Sequence, residues 1–211
     1  MIKQNINKYF DIILIIIIEC LFSLVLPKLI KPNILIFNIC ALNSQLSINW
    51  LWEIILSLFI HGSKLHLYFN LLCFLPAAVG INNYLINQHK VNNHLLLYLF
   101  LGSGIIGNIF YLVSMNIINN KKGIIIGCSG AVCGVLTFAL IIYTKLVIKR
   151  LKAHNFRFKL IFKLLLLIFI LYLYINSSLI SNGSVSLSAH LGGISFGILF
   201  AIINIKRQKN V

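Results

Sequence analysis

A serine flanked by glycines opens a long apolar run, Gly127-Cys128-Ser129-Gly130-Ala131-Val132-Cys133-Gly134. A serine hydroxyl is a poor nucleophile until a neighbouring base accepts its proton, and imidazole is a common base for that task. A second apolar run offers one in Ser188-Ala189-His190-Leu191-Gly192-Gly193, with Gly197 one turn further on. His190, Gly193 and Gly197 are spaced i, i+3, i+7 and share one helical face, while Gly130 and Gly134 stand at i, i+4 beside the Ser129 face. Glycines without Cβ atoms let two backbones come close. A tight contact between these two helices therefore brings Ser129 Oγ within hydrogen-bond reach of a His190 ring nitrogen. Alone, Ser129 reads as a helix-start hydroxyl and His190 as a packing histidine. The placement of the glycines favours the pair.

Acyl transfer also needs donors for the oxyanion that forms on the attacked carbonyl. In His66-Leu67-Tyr68-Phe69-Asn70 the histidine and asparagine are i, i+4 in a third apolar run, so both can donate from one face. Backbone N–H groups around Ser129 add to them, with Gly127 as a further oxyanion or substrate-binding position. The alternative for His66 and Asn70 is a polar contact that joins helices. The only carboxylates are Asp11, Glu19 and Glu53, all distant in sequence from Ser129 and His190. We therefore expect a two-residue dyad, its histidine positioned by packing and lesser hydrogen bonds. His61 falls in a loop near the site, where a structural role suffices; His89, His94 and His154 sit at loop or span ends and receive no chemistry. The histidines lack HExxH spacing and an accompanying acidic ligand, so neither a metal nor another cofactor is expected. Cys20, Cys40, Cys73, Cys128 and Cys133 show no CxxC spacing and read as small apolar residues rather than disulfide partners.

The elements that must position these residues are membrane spans. Of the 211 residues 60% are apolar and only 10% charged, less than half the charged share usual in soluble domains. Runs of roughly 20 apolar residues recur, each long enough to cross a bilayer. The net charge of +15 lies mostly between and beyond these runs, not on a basic, aromatic-interleaved module, which excludes nucleic acid as the partner. We read six spans, at about residues 10–26, 65–84, 94–115, 129–148, 160–175 and 187–205. Pro27 stops the first, and Glu19 within it should face protein or water rather than lipid. Residues 28–63 form a long interfacial loop with partial helix, its Trp50 and Trp52 at headgroup level. Residues 176–186 form a polar loop. The organisation is thus a short cytoplasmic N-terminus (1–9), one six-span membrane domain (10–205) and a basic cytoplasmic tail (206–211). With both termini in the cytoplasm, thirteen of the eighteen Lys and Arg residues lie inside. The starts of the second, fourth and sixth spans then share the outer side, so all three polar groups converge at similar depth.

Together these residues resemble the rhomboid intramembrane serine proteases. The matching pieces are His61-x4-His66-x3-Asn70, Gly127-x-Ser129-Gly130 and Ala189-His190-x2-Gly193-x3-Gly197, with Trp52 nine residues before His61. The resemblance covers about residues 50–200. It implies an all-α, rhomboid-like bundle of six transmembrane helices with a long first loop and a Ser129–His190 dyad in a wet cavity. It further implies His66 and Asn70 at the oxyanion, and single-span membrane proteins as substrates arriving from the lipid bilayer. A multi-pass protein of the bacterial inner membrane fits this reading. Three positions depart from the family pattern. Glu53 stands where arginine is usual, Asn82 or Asn83 where a glutamate is common, and Cys133 where an aromatic stacks on the catalytic histidine. The first two imply a different anchoring of the long loop. The third implies a less firmly held His190, slower turnover, and a gain of activity on Cys133→Tyr. The alternatives are a catalytically weak or inactive rhomboid-like factor that binds membrane proteins, and a small transporter, although no inverted repeat supports the latter.

Overall fold

The computed structural model describes residues 9–29, 38–45, 50–87, 94–118, 122–155, 157–180 and 186–207. Six helices are long and apolar enough to cross a bilayer: α1 (Phe10–Leu29), α3 (Lys64–Asn87), α4 (Leu95–Val113, extended by a π turn Ser114–Ile118), α5 (Ser129–Lys152), α6 (Phe158–Ile180) and α7 (Leu187–Arg207). A shorter helix, α2 (Trp50–Leu56), and a 3₁₀ turn (Ser57–Phe59) precede α3. The chain is an integral, multi-pass membrane protein.

Helix α5 is the central post. Ala131, Val132, Cys133, Val135, Leu136 and Ala139 on it are fully buried, against α4 and α7 on one side and α3 and α6 on the other. The α5–α7 contact is made by backbone. A Cβ on Gly193 would overlap the carbonyl oxygen of Gly130, and one on Gly197 would stand 2.5 Å from that of Gly134. Only glycine lets the two helices approach this far. The contact read from the glycine spacing is the one the fold makes.

The first loop is anchored to the bundle. Strand β1 (Leu42–Asn43) pairs antiparallel with β2 (Ile124–Ile125), just ahead of Ser129. Ser44 exchanges two bonds with Gly123: its backbone N–H donates to Gly123 O, and its Oγ accepts from Gly123 N–H, both at 2.9 Å. Asn108 of α4 holds the end of α2, its Nδ2 donating to Ile54 O (2.7 Å) and to Ser57 Oγ (2.9 Å). Glu53 is buried, and its Oε2 accepts from Asn43 N–H at 3.2 Å, so an acceptor here pins β1 to α2. Asn83 accepts from Tyr9 Oη at 3.3 Å and ties α3 to the start of α1. Trp50 and Trp52 are exposed.

Two boundaries differ from the sequence reading. Helix α1 passes through Pro27 to Leu29, because a π turn at Leu21–Val25 widens the helix where proline cannot donate. Helix α6 runs on to Ile180, so Asn176, Ser177 and Ser178 are helical rather than loop. The hydroxyls of Ser177 and Ser178 both donate back to Tyr174 O, at 2.8 and 2.9 Å, which satisfies them inside a span. Residues 181–185 of the expected loop, Lys28 to Ser63 in part, and His89 fall outside or only partly within the described residues.

Candidate active site

Ser129 is the first residue of α5, reached through Gly127 at φ +99°, a backbone conformation suited to glycine. The missing Cβ matters here for space as well: one on Gly127 would lie 2.7 Å from Cε1 of His66. Across the α5–α7 contact, His190 Nε2 stands 2.9 Å from Ser129 Oγ. His190 is buried on a face it shares with Gly193 and Gly197, so the close helix approach sets this distance.

The other ring nitrogen is engaged too. His190 Nδ1 is 2.7 Å from Ser178 Oγ, whose hydroxyl proton is directed to Tyr174 O. With that proton committed, Ser178 Oγ accepts from Nδ1–H, and the tautomer assigned by the network leaves Nε2 bare toward Ser129. This is the tautomer a general base requires. Tyr174 adds an edge-on contact to the imidazole, ring centroids 5.4 Å apart at 89°. His190 is therefore firmly held, from α6, and the expected looseness from Cys133 is corrected. Cys133 is wholly buried in the core, where a tyrosine would overpack, so Cys133→Tyr carries no expected gain. None of the three carboxylates reaches His190: Glu19 lies by His61, Asp11 pairs with His94 at 2.9 Å, and Glu53 holds Asn43.

From Tyr174 the network passes to α3. Tyr174 Oη donates to Asn70 Oδ1 at 2.8 Å, which fixes the amide orientation, and Asn70 Nδ2 lies 3.0 Å from His61 Nε2. Burial, and secondly the nearby His66, hold the His61 imidazole down to about 3, so it is neutral and Nε2 accepts from Asn70. Its Nδ1–H is then directed to Ser23 Oγ at 2.9 Å, and Ser23 donates onward to Phe59 O at 2.8 Å. The His61 and His66 rings meet edge to face at 4.9 Å, and His66 lies against Gly127. The contacts thus return to the serine: Ser129, His190, Tyr174, Asn70, His61, His66, Gly127. Every site residue read from the sequence lies on this closed circuit or in the glycine contact (Gly130, Gly134, Gly193, Gly197) that supports it.

The rhomboid domain model matches residues 49–207, about three quarters of the chain. The chain belongs to the rhomboid family. Comparison with curated proteins and with solved structures gives no significant match to this rhomboid. Two site residues escaped the sequence reading. Tyr174 lies within the expected span at about 160–175 with no role given to it, and Ser178 falls in the expected loop 176–186; the signal was the serine pair one turn after a tyrosine in an apolar run. His94 and His154, given no chemistry, adopt positive φ at helix ends, away from the circuit.

Proposed function

We propose that this rhomboid is an intramembrane serine endopeptidase that cleaves single-span membrane proteins by a Ser129–His190 dyad. The observation that carries the reading is the 2.9 Å Nε2–Oγ contact, combined with a tautomer that leaves Nε2 able to accept. His190 takes the Oγ proton as Ser129 attacks the scissile carbonyl, and a tetrahedral oxyanion forms. The imidazolium then protonates the leaving amine, which departs with the C-terminal half of the substrate. Water, deprotonated by the same imidazole, attacks the acyl-serine and frees the N-terminal half. Asn70 Nδ2, His66 and the N–H groups at the start of α5 are the oxyanion donors, near Gly127, because donors fixed by other bonds need no reorganisation during the reaction. A peptide must leave its helix before its carbonyl is reachable, which selects substrates with helix-weakening residues near the cleavage point. The basic residues orient both ends toward the cytoplasm, with residues 1–9 and 206–211 as short flanks and the site toward the outer face of a bacterial inner membrane.

The test is labelling by a serine-reactive fluorophosphonate, with cleavage of a model single-span substrate in proteoliposomes. Parent protein should show both and Ser129→Ala neither. Equal labelling of the two, or a folded parent that neither labels nor cleaves, would favour a membrane-protein-binding factor without peptidase activity.

Ser178 is a positioning residue in this scheme. Ser178→Ala leaves a buried Nδ1–H without its acceptor, a loss of about 1–3 kcal/mol. We expect kcat to fall about ten- to a hundredfold with KM little changed, and Ser178→Thr to retain most of the rate. A Ser178→Ala enzyme with parental kcat would remove Ser178 from the scheme.

A further inference from the structure

Behind the dyad, three side chains of metal-ligating type meet in one buried place. Glu19 of α1, His61 of the turn before α3, and Cys128, the residue before Ser129, have ligand atoms all within 4.8 Å of one another. Glu19 Oε2 is 3.5 Å from His61 Nδ1, and Cys128 Sγ is 3.5 Å from His61 Nε2. All three are buried, Glu19 at 0% exposure, and neither oxygen of its carboxylate has a hydrogen-bond partner among the described residues. No Lys or Arg among them pairs with it. A carboxylate at membrane depth whose nearest donor is the weak thiol of Cys128 is costly, and it needs either a proton or a cation. The π turn at Leu21–Val25 begins two residues after Glu19, and such turns recur at functional sites.

We propose that Glu19, His61 and Cys128 bind a borderline-soft divalent cation, zinc being the best match, and that its binding inhibits the enzyme. The inhibitory half rests on the peptidase reading above. One carboxylate oxygen, one imidazole nitrogen and one thiolate are a zinc donor set, with a fourth position for water. Carboxylate and thiolate balance the two positive charges, and the carboxyl and thiol protons both leave to solvent on binding. Donors around a tetrahedral zinc stand about 3.3–3.8 Å apart. An imidazole gives one nitrogen to a cation, so either choice keeps one 3.5 Å pair in that range, Glu19 with Nδ1 or Cys128 with Nε2, and the other pairs, within 4.8 Å, close by side-chain rotation of about an ångström. The coupling to catalysis runs through His61. If the cation takes Nε2, it removes the lone pair that faces Asn70 Nδ2 at 3.0 Å. If it takes Nδ1, the ring proton moves to Nε2 and points at the same amide. Either way His61 stops accepting from Asn70, and the amide keeps its bond from Tyr174 Oη but loses the one that holds its Nδ2 in place.

Cobalt(II) titration of the full chain in detergent tests binding without reference to activity. We expect thiolate-to-cobalt charge-transfer and four-coordinate d–d absorption that saturates at micromolar cobalt and is displaced by zinc. The bands should vanish in Cys128→Ser, and apparent affinity should drop about tenfold or more in Glu19→Gln. Zinc should also raise the Tm of the parent, a readout that needs no variant. No absorption up to millimolar cobalt, or bands that persist in folded Cys128→Ser, would overturn the site; a carboxyl simply protonated in place gives the first result. In proteoliposomes, zinc that saturates the site should slow cleavage by the parent at least tenfold and spare Glu19→Gln. Unchanged cleavage at saturation would overturn the coupling. A parent that binds cobalt but never cleaves would count against the peptidase reading and not against the site.

Discussion

Ser129→Ala and His190→Ala should each lower the rate of substrate cleavage by roughly four to six powers of ten, and the double variant should be no slower than either alone. The reason is that the two groups act as one unit. Without the imidazole, the Ser129 hydroxyl keeps its proton and attacks no faster than any buried alcohol. Without the hydroxyl, a correctly poised Nε2 has nothing to activate except water. Removing the second partner after the first therefore takes away nothing further. Residual cleavage reflects the oxyanion donors and substrate positioning alone. Single-turnover assays in proteoliposomes, with a shared substrate and matched folded protein, measure all three rates. Losses that multiply in the double variant would mean that Ser129 and His190 work separately, and the dyad would have to be abandoned.

Gly193→Val has the second largest expected effect, and it acts on the frame. Its Cβ alone would overlap the Gly130 carbonyl, and neither partner is a flexible side chain that can step aside. Helices α5 and α7 must separate or shift, at a cost of about 3 kcal/mol or more. For a chain of this length that corresponds to a Tm lowered by about 6–12 °C. Activity should fall further than stability does, by about a hundredfold or more in the surviving folded fraction, because an ångström between reacting groups is that consequential. Thermal unfolding together with specific activity per labelled serine separates the two effects. A variant that melts with the parent would show that the backbone contact is not what holds the helices.

The local periodicities of the chain carried much of this. Gly130, Gly134, Gly193 and Gly197 announced a helix pair because small residues at helical spacing have one geometric consequence, close approach. His66 and Asn70 announced a shared face for the same reason, and Glu19 announced a protein-facing position because lipid would not tolerate it. What the pattern could not carry was the choice of partner across the bundle. Tyr174 in an apolar run is as plausible at a lipid boundary as under a histidine. Ser178 fell in the loop of the sequence reading because its hydroxyl is polar, yet a bond back to the preceding turn lets it stay in helix. Glu53 and Cys133 were legible as departures, but their compensations, the Asn43 N–H and the α6 side chains, lie elsewhere in the chain. Cys128 read as a small apolar residue because nothing local links it to a glutamate on the first helix.

Ser129 and His190, the proposed nucleophile and base, ride on α5 and α7, locked backbone to backbone, while the side chains that hold the imidazole, Tyr174 and Ser178, ride on α6. In the hydrophobic stretch of α6 only 11% of residues are buried, against 61% in α5. If a bulky guest is admitted by swinging α6 outward, the same swing carries off the hydroxyl that pins Nδ1. A mouth on that flank would disarm the scissors while it stood open, and cutting would wait until α6 had closed again behind the guest.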